Sequence, residues 1–234
     1  MFDGRDAELD SPSSSSSSSF LGALGDPSPG SVPRLTQITD HVRVPFEVLR
    51  SRLERAPEPV LVQVRDKDLD EADRIALASR LRDLARALGH LVVFNGAWEV
   101  ALALGLDGVH LSGDRAHLVR DARSALGESA LITVACHDVD DVLRAAALGA
   151  SSAILSPIFA TPGKGTPLAL ESLERARAAL DRQSASTRLV ALGGIDETTA
   201  SSCIDAGADG VAVIRADLVA WLQARKLDAP IGPC

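Results

Sequence analysis

Three polar residues, Gln63, Arg65 and Lys67, alternate with valine and aspartate in the run VLVQVRDK at 60–67. Side chains alternate faces along a strand, so these three share one face while Val60, Val62 and Val64 take the other. Arg65 offers a bidentate fork to phosphate oxygens and Lys67 a point charge, which suits this face to an anionic substrate. The competing reading is that the cations sit solvated at a strand end, or pair with Asp66, Asp68 or Asp40. A second run, LITVACH at 131–137, ends in His137, which alternation groups with Thr133 and Ala135 and sets opposite Cys136. That arrangement argues against a Cys136–His137 nucleophile and base. It leaves His137 as an acid/base group titrating near neutrality, or as a loop-packing residue beside Asp138, the expected helix N-cap.

Further along, SPIFATPGKG at 156–165 places Thr161 and Lys164 among glycines and prolines, a hydroxyl and a cation on a segment shaped to close over a ligand. An ordinary solvated loop would read the same way. Gly193 and Gly194 end the run RLVALGG, and a helix is expected to begin near Arg215 and Ala216. Backbone amides and a helix N-terminus bind phosphate at such a place in many barrels. His41, His90, His110 and His117 have weaker cases, and His110, inside an apolar run, reads as a satisfied core residue.

The elements that must position these residues repeat after Pro33: a short apolar run, a polar turn, then apolar residues at helical spacing. Eight such runs occur, at 34–40, 60–67, 91–95, 108–111, 131–137, 152–158, 188–194 and 210–216. Helical stretches include 69–88, 139–148, 168–180 and 197–206, with Gly89, Gly149 and Gly207 where C-terminal caps belong. Strict alternation predicts an α/β fold, a (β/α)8 TIM barrel with its site at the C-terminal strand ends. An open doubly wound sheet is the alternative, although no GxGxxG supports it.

Composition bounds the rest. The 234 residues, 46% apolar, suffice for one large core. A net charge of -8 repels nucleic acid and anionic membrane over most of the surface, leaving room for local cationic pockets. Cys136, Cys203 and Cys234 are too scattered for zinc and too few for a disulfide scaffold, so a reducing cytoplasm is expected. Residues 1–32, acidic and then rich in serine, read as a disordered tail, 33–227 as the barrel and 228–234 as a C-terminal tail. No apolar run approaches the roughly 20 residues that span a bilayer. A homo-oligomer is compatible with all of this.

Over about residues 34–220 the chain resembles the thiamine phosphate synthase and thiazole tautomerase family. QVRDK is similar to that family's pyrimidine diphosphate-binding QxRxK, VACH to its strand ending in His, SPIFATPGK to its phosphate loop, and ALGGI with GADGVAVI to its closing phosphate motifs. The resemblance implies a phosphorylated thiazole or pyrimidine as ligand. Synthases carry Asn-Asp after the third strand, the Asp holding magnesium, whereas here the pair is Asn95-Gly96. Their second metal Asp follows the fourth strand in GQxD, but HLSGDR puts Asp114 one place off. Gly163 and Arg215 also replace smaller or hydroxyl-bearing residues of the family pattern.

These departures lead with the tautomerase branch: a metal-free aromatisation of a carboxythiazole phosphate, with His137 as acid/base group. Thr161, Lys164, Gly193, Gly194 and Arg215 would hold the phosphate, and Gln63, Arg65, Lys67 and Asn95 would line the site. The alternative is a divergent synthase coupling the two phosphorylated halves with release of diphosphate, with magnesium and Asp114 as its ligand. A catalytically silent barrel binding a thiamine precursor is the third reading.

Overall fold

The computed structural model describes residues 31–228. Eight parallel strands form a closed ring: β1 (Leu35–Ile38), β2 (Val60–Val64), β3 (Leu91–Asn95), β4 (Gly108–Leu111), β5 (Leu131–Cys136), β6 (Ser152–Leu155), β7 (Arg188–Leu192) and β8 (Gly210–Val213). Each pairs with the next, and β8 returns to β1 with Leu35 opposite Val211. Closure excludes the open doubly wound sheet. The helices are α1 (Phe46–Arg55), α2 (Glu71–Leu88), α3 (Trp98–Leu104), α4 (Val119–Leu126), α5 (Val139–Ala147), α6 (Leu170–Arg182), α7 (Ala200–Asp205) and α8 (Val219–Asp228), with a short 3-10 turn at Gly113–Leu118 before α4.

Alternation along the strands builds two cores. Outward residues such as Val60, Val62, Val64, Phe94 and Leu155 pack against the helices. Inward residues fill the barrel in layers. Val32, Leu61, Val93 and Leu131 close its floor, each 3% exposed or less. Ile38, Ile154, Val190 and Ala212 form the layer above. Sequence groups Val32 with the N-terminal tail, yet it is part of that floor; residues 1–30 of that tail, and nearly all of the C-terminal one, lie outside the described residues.

Helix ends follow local hydrogen bonding. Asp70 caps α2 by accepting from Asp73 N–H, and Asp138 caps α5 by accepting from Asp141 N–H, as its sequence position predicts. Gly89, Gly149 and Gly207 all have positive φ just past helices. α2 begins at Glu71, just after its Asp70 cap, rather than at 69, and three further starts differ from the sequence reading. α6 begins at Leu170, not Leu168, because the amides of Leu168 and Ala169 bond back to Pro157 and Ile158 carbonyls. α7 begins at Ala200, not Glu197, because the Asp196 carboxylate takes the amides of Thr198 and Thr199 in a side-chain turn. The last helix begins at Val219 rather than near Arg215, because Asp217 accepts the Val219 amide and the preceding carbonyls go to Arg52.

Cys136 and Cys203 are buried and free. Burial pushes their thiols up to about 12 and about 11, so neither serves as a nucleophile. Among the described residues no helix is long and apolar enough to cross a membrane.

Candidate functional site

The C-terminal ends of the strands surround a cavity of about 600 Å³. Strand β2 and its extension send Gln63, Arg65 and Lys67 into it, from the same face, as alternation requires. Strand β3 contributes Asn95 at its last position. The segment after β4 adds Ser112 and Asp114, His137 follows the last residue of β5, and the β6–α6 loop supplies Thr161 and Lys164. Gly193, after β7, completes the polar rim. Ile38, Ile154, Leu192 and Ile214 form apolar walls.

The cations divide into two poles. Arg65 and Lys67 extend from β2, and Lys164 stands on the loop after β6, a strand four places away in the ring of eight; all three line the cavity. No Arg65 or Lys67 ion pair within 4.0 Å occurs among the described residues; Asp40 pairs with Arg43 instead, and Asp66 with His41. Gln63 is buried, and its Oε1 has no hydrogen-bond partner. A buried acceptor left open at a cavity wall is costly unless a ligand donor meets it.

His137 is exposed at the rim, its ring Nδ1 3.1 Å from the Ser156 carbonyl and its backbone N–H donating to Asp141 Oδ2. A carbonyl only accepts, so neutral His137 carries its proton on Nδ1 and keeps the Nε2 lone pair for another group. His110 behaves differently. It lines the cavity wall rather than the apolar core that its sequence context suggested, with Nδ1 2.8 Å from Thr133 Oγ1. Burial, reinforced by the charge of Arg65, lowers its pKa to about 3, so it stays neutral at physiological pH. Alternation held the missed signal, since His110 shares a strand face with Ser112. The other histidines are structural: His90 bridges the Val60 amide and the Leu53 carbonyl, and His117 contacts the Asp114 carbonyl.

Gly193 and Gly194 both have positive φ, +103° and +66°. A Cβ on Gly193 would lie 2.8 Å from Pro157 Cα, and one on Gly194 2.7 Å from Phe159 Cβ. The pair thus fits the end of β7 beneath the β6–α6 loop, whose Ile158 and Phe159 amides bond to Leu192 and Gly193 carbonyls. Gly194 and Arg215 are not among the cavity-lining residues. Arg215 is exposed, with Nε 4.0 Å from Asp40 Oδ2.

A family model described as thiamine monophosphate synthase matches residues 35–216, which takes in the whole barrel up to the end of β8. The chain belongs to the thiamine monophosphate synthase family. Membership places it in thiamine biosynthesis. Among relatives in this family, the thiamine-phosphate synthase of Methanoculleus marisnigri is 39% identical over 169 residues, 71% of this chain and 77% of its own. That of Gloeobacter violaceus is 36% identical over 162 residues, 68% of this chain but only 46% of that longer protein. The solved thiamine phosphate pyrophosphorylase from Pyrococcus furiosus superposes with a TM-score of 0.67 at 25% identity, covering 83% of this chain and 94% of that one. Both sequence relatives carry the synthase name, and nothing in these matches separates a tautomerase branch within the thiamine monophosphate synthase family.

Proposed function

We propose that the protein is a thiamine-phosphate synthase that joins a pyrimidine diphosphate to a thiazole phosphate and releases diphosphate. The observation that carries this reading is that two cationic groups, Arg65 with Lys67 from β2 and Lys164 from the loop after β6, line one cavity, and we read them as two poles. A single-phosphate substrate needs one pole; two phosphorylated substrates need both. A volume of about 600 Å³ lies within the range of small-molecule sites and accommodates two small heterocycles. The names of the relatives support the same ranking, which reverses the order that Asn95-Gly96 suggested from sequence.

In the coupling the thiazole nitrogen attacks the pyrimidine methylene carbon, and the carbon–oxygen bond to diphosphate breaks with the electron pair leaving on oxygen. Arg65 and Lys67 meet that charge as it develops. Thr161, Lys164 and the Gly193 backbone hold the thiazole phosphate at the opposite pole. Open Gln63 Oε1 accepts a hydrogen bond from a ring amine, and Ile38, Ile154, Leu192 and Ile214 enclose the flat rings and exclude water. His110 remains neutral and adds no positive charge of its own beside Arg65.

Magnesium is the ion such a coupling implies, and the donor set fits one carried in by the diphosphate. Asp114 offers a carboxylate held ionised by the Ser112 hydroxyl, and Asn95 an amide oxygen. Among the described residues no three His, Cys, Asp or Glu side chains gather into a site held by protein alone. When bound, magnesium would neutralise the departing diphosphate. Incubation of both substrates with magnesium should yield thiamine phosphate and an equal amount of diphosphate; no product under those conditions would overturn the reading.

Two features favour a second reading. Gly96 stands where synthases place an aspartate, and the Nε2 lone pair of His137 is free to move a proton, as aromatisation of a carboxythiazole phosphate requires. Ultraviolet absorbance of that tautomer in EDTA separates the two: acceleration lost in His137→Ala would establish the tautomerase, and no acceleration by wild type would remove it.

A further inference from the structure

We infer that Asp66 and His41 form a latch that keeps Arg65 and Lys67 free of internal ion pairs and aimed into the cavity for diphosphate. Asp66 lies between the two cations in sequence, and the simplest outcome would be an ion pair with either. Instead it turns to the opposite face, where its side chain is 0% exposed. There Oδ1 accepts both the backbone N–H of His41 and its ring Nδ1, the latter at 2.9 Å. Burial alone would raise the Asp66 pKa, but the Thr39 hydroxyl and His41 outweigh it and hold the carboxylate ionised.

The same β1–α1 segment grips the β2 extension at two more points. Thr39 N–H donates to the Gln63 carbonyl at 3.0 Å, and Thr39 Oγ1 accepts the Arg65 amide at 2.9 Å. Three successive contacts, to Gln63, Arg65 and Asp66, fix the backbone that carries the cationic pole past the last ladder position at Val64. A carboxylate released from His41 has two cations within one residue on either side, and pairing with them would consume the charge meant for the ligand. Asp66 and His41 are therefore positioning residues, acting through Arg65 and Lys67 without touching the ligand.

This inference rests on the two-pole reading of the site, and calorimetric titration with inorganic diphosphate separates the two. Wild type should bind diphosphate, His41→Ala should weaken binding about tenfold, and His41→Asn, whose amide nitrogen replaces Nδ1, should restore most of it. In turnover, His41→Ala should raise KM for the pyrimidine diphosphate and lower kcat, because Arg65 and Lys67 also meet the charge that develops on the leaving diphosphate, while KM for the thiazole phosphate stays nearly unchanged. Asp66→Asn should match His41→Ala; if it fails to fold, the two His41 variants carry the test, because His41 is partly exposed. Equal diphosphate binding by wild type and His41→Ala would overturn the latch alone. Loss of affinity for both substrates alike would also overturn it, as general disruption of the mouth. A wild type that does not bind diphosphate would overturn the two-pole reading and the latch with it.

Discussion

At the scale of single residues, the cavity sorts its charges by strand. Lys164 serves one pole, so Lys164→Ala should raise KM for the thiazole phosphate by about tenfold or more, the worth of a charge-assisted contact, with a much smaller effect on the pyrimidine substrate. Arg65→Ala should show the opposite pattern, and steady-state kinetics with each substrate varied in turn would reveal it. The alternation of Gln63, Arg65 and Lys67 made their common face legible from sequence, because a period of two is enforced wherever a strand extends. His110 was not legible as a cavity residue: a lone histidine in an apolar run looks the same whether its inner face meets packed side chains or an opening. Arg215 and Gly194 follow the ends of β8 and β7, and their positions came only from the fold.

Among the elements, the eight strands were legible because each apolar run is bounded by turn residues, and a closed ring buries both faces of every strand. Helix starts were less so. A carboxylate such as Asp196 or Asp217 that captures nearby amides delays the helix in a way that apolar spacing does not record. The junction of β7 with the β6–α6 loop is the most demanding element for the site. Gly194→Ala combines a positive φ with a Cβ contact of 2.7 Å, so it should destabilise the fold by about 1–3 kcal/mol and lower the thermal midpoint. Because the displaced neighbour is Phe159, the same variant should weaken thiazole phosphate binding; an unchanged melting curve and KM would refute that account of the junction.

The whole molecule carries an acid sensitivity set by His110. Its pKa is about 3 when folded against 6.5 for the free side chain, so the unfolded chain takes up a proton that the folded chain refuses. Stability is therefore full above pH 6.5 and should fall progressively as pH drops from 6.5 toward 3. Burial lowers the pKa of His90 as well, adding to the loss in the same direction. Denaturant unfolding across that window should show the decline, and His110→Gln should flatten it; an equally steep decline in that variant would assign the effect elsewhere.

Val32, Leu61, Val93 and Leu131 leave the barrel shut at its base, and traffic follows from that. In the coupling proposed above, two substrates and two products would share one doorway, so whatever settles deeper would have to arrive first and depart last. Turnover should consequently obey a compulsory order, with one product competing only against the first substrate to enter.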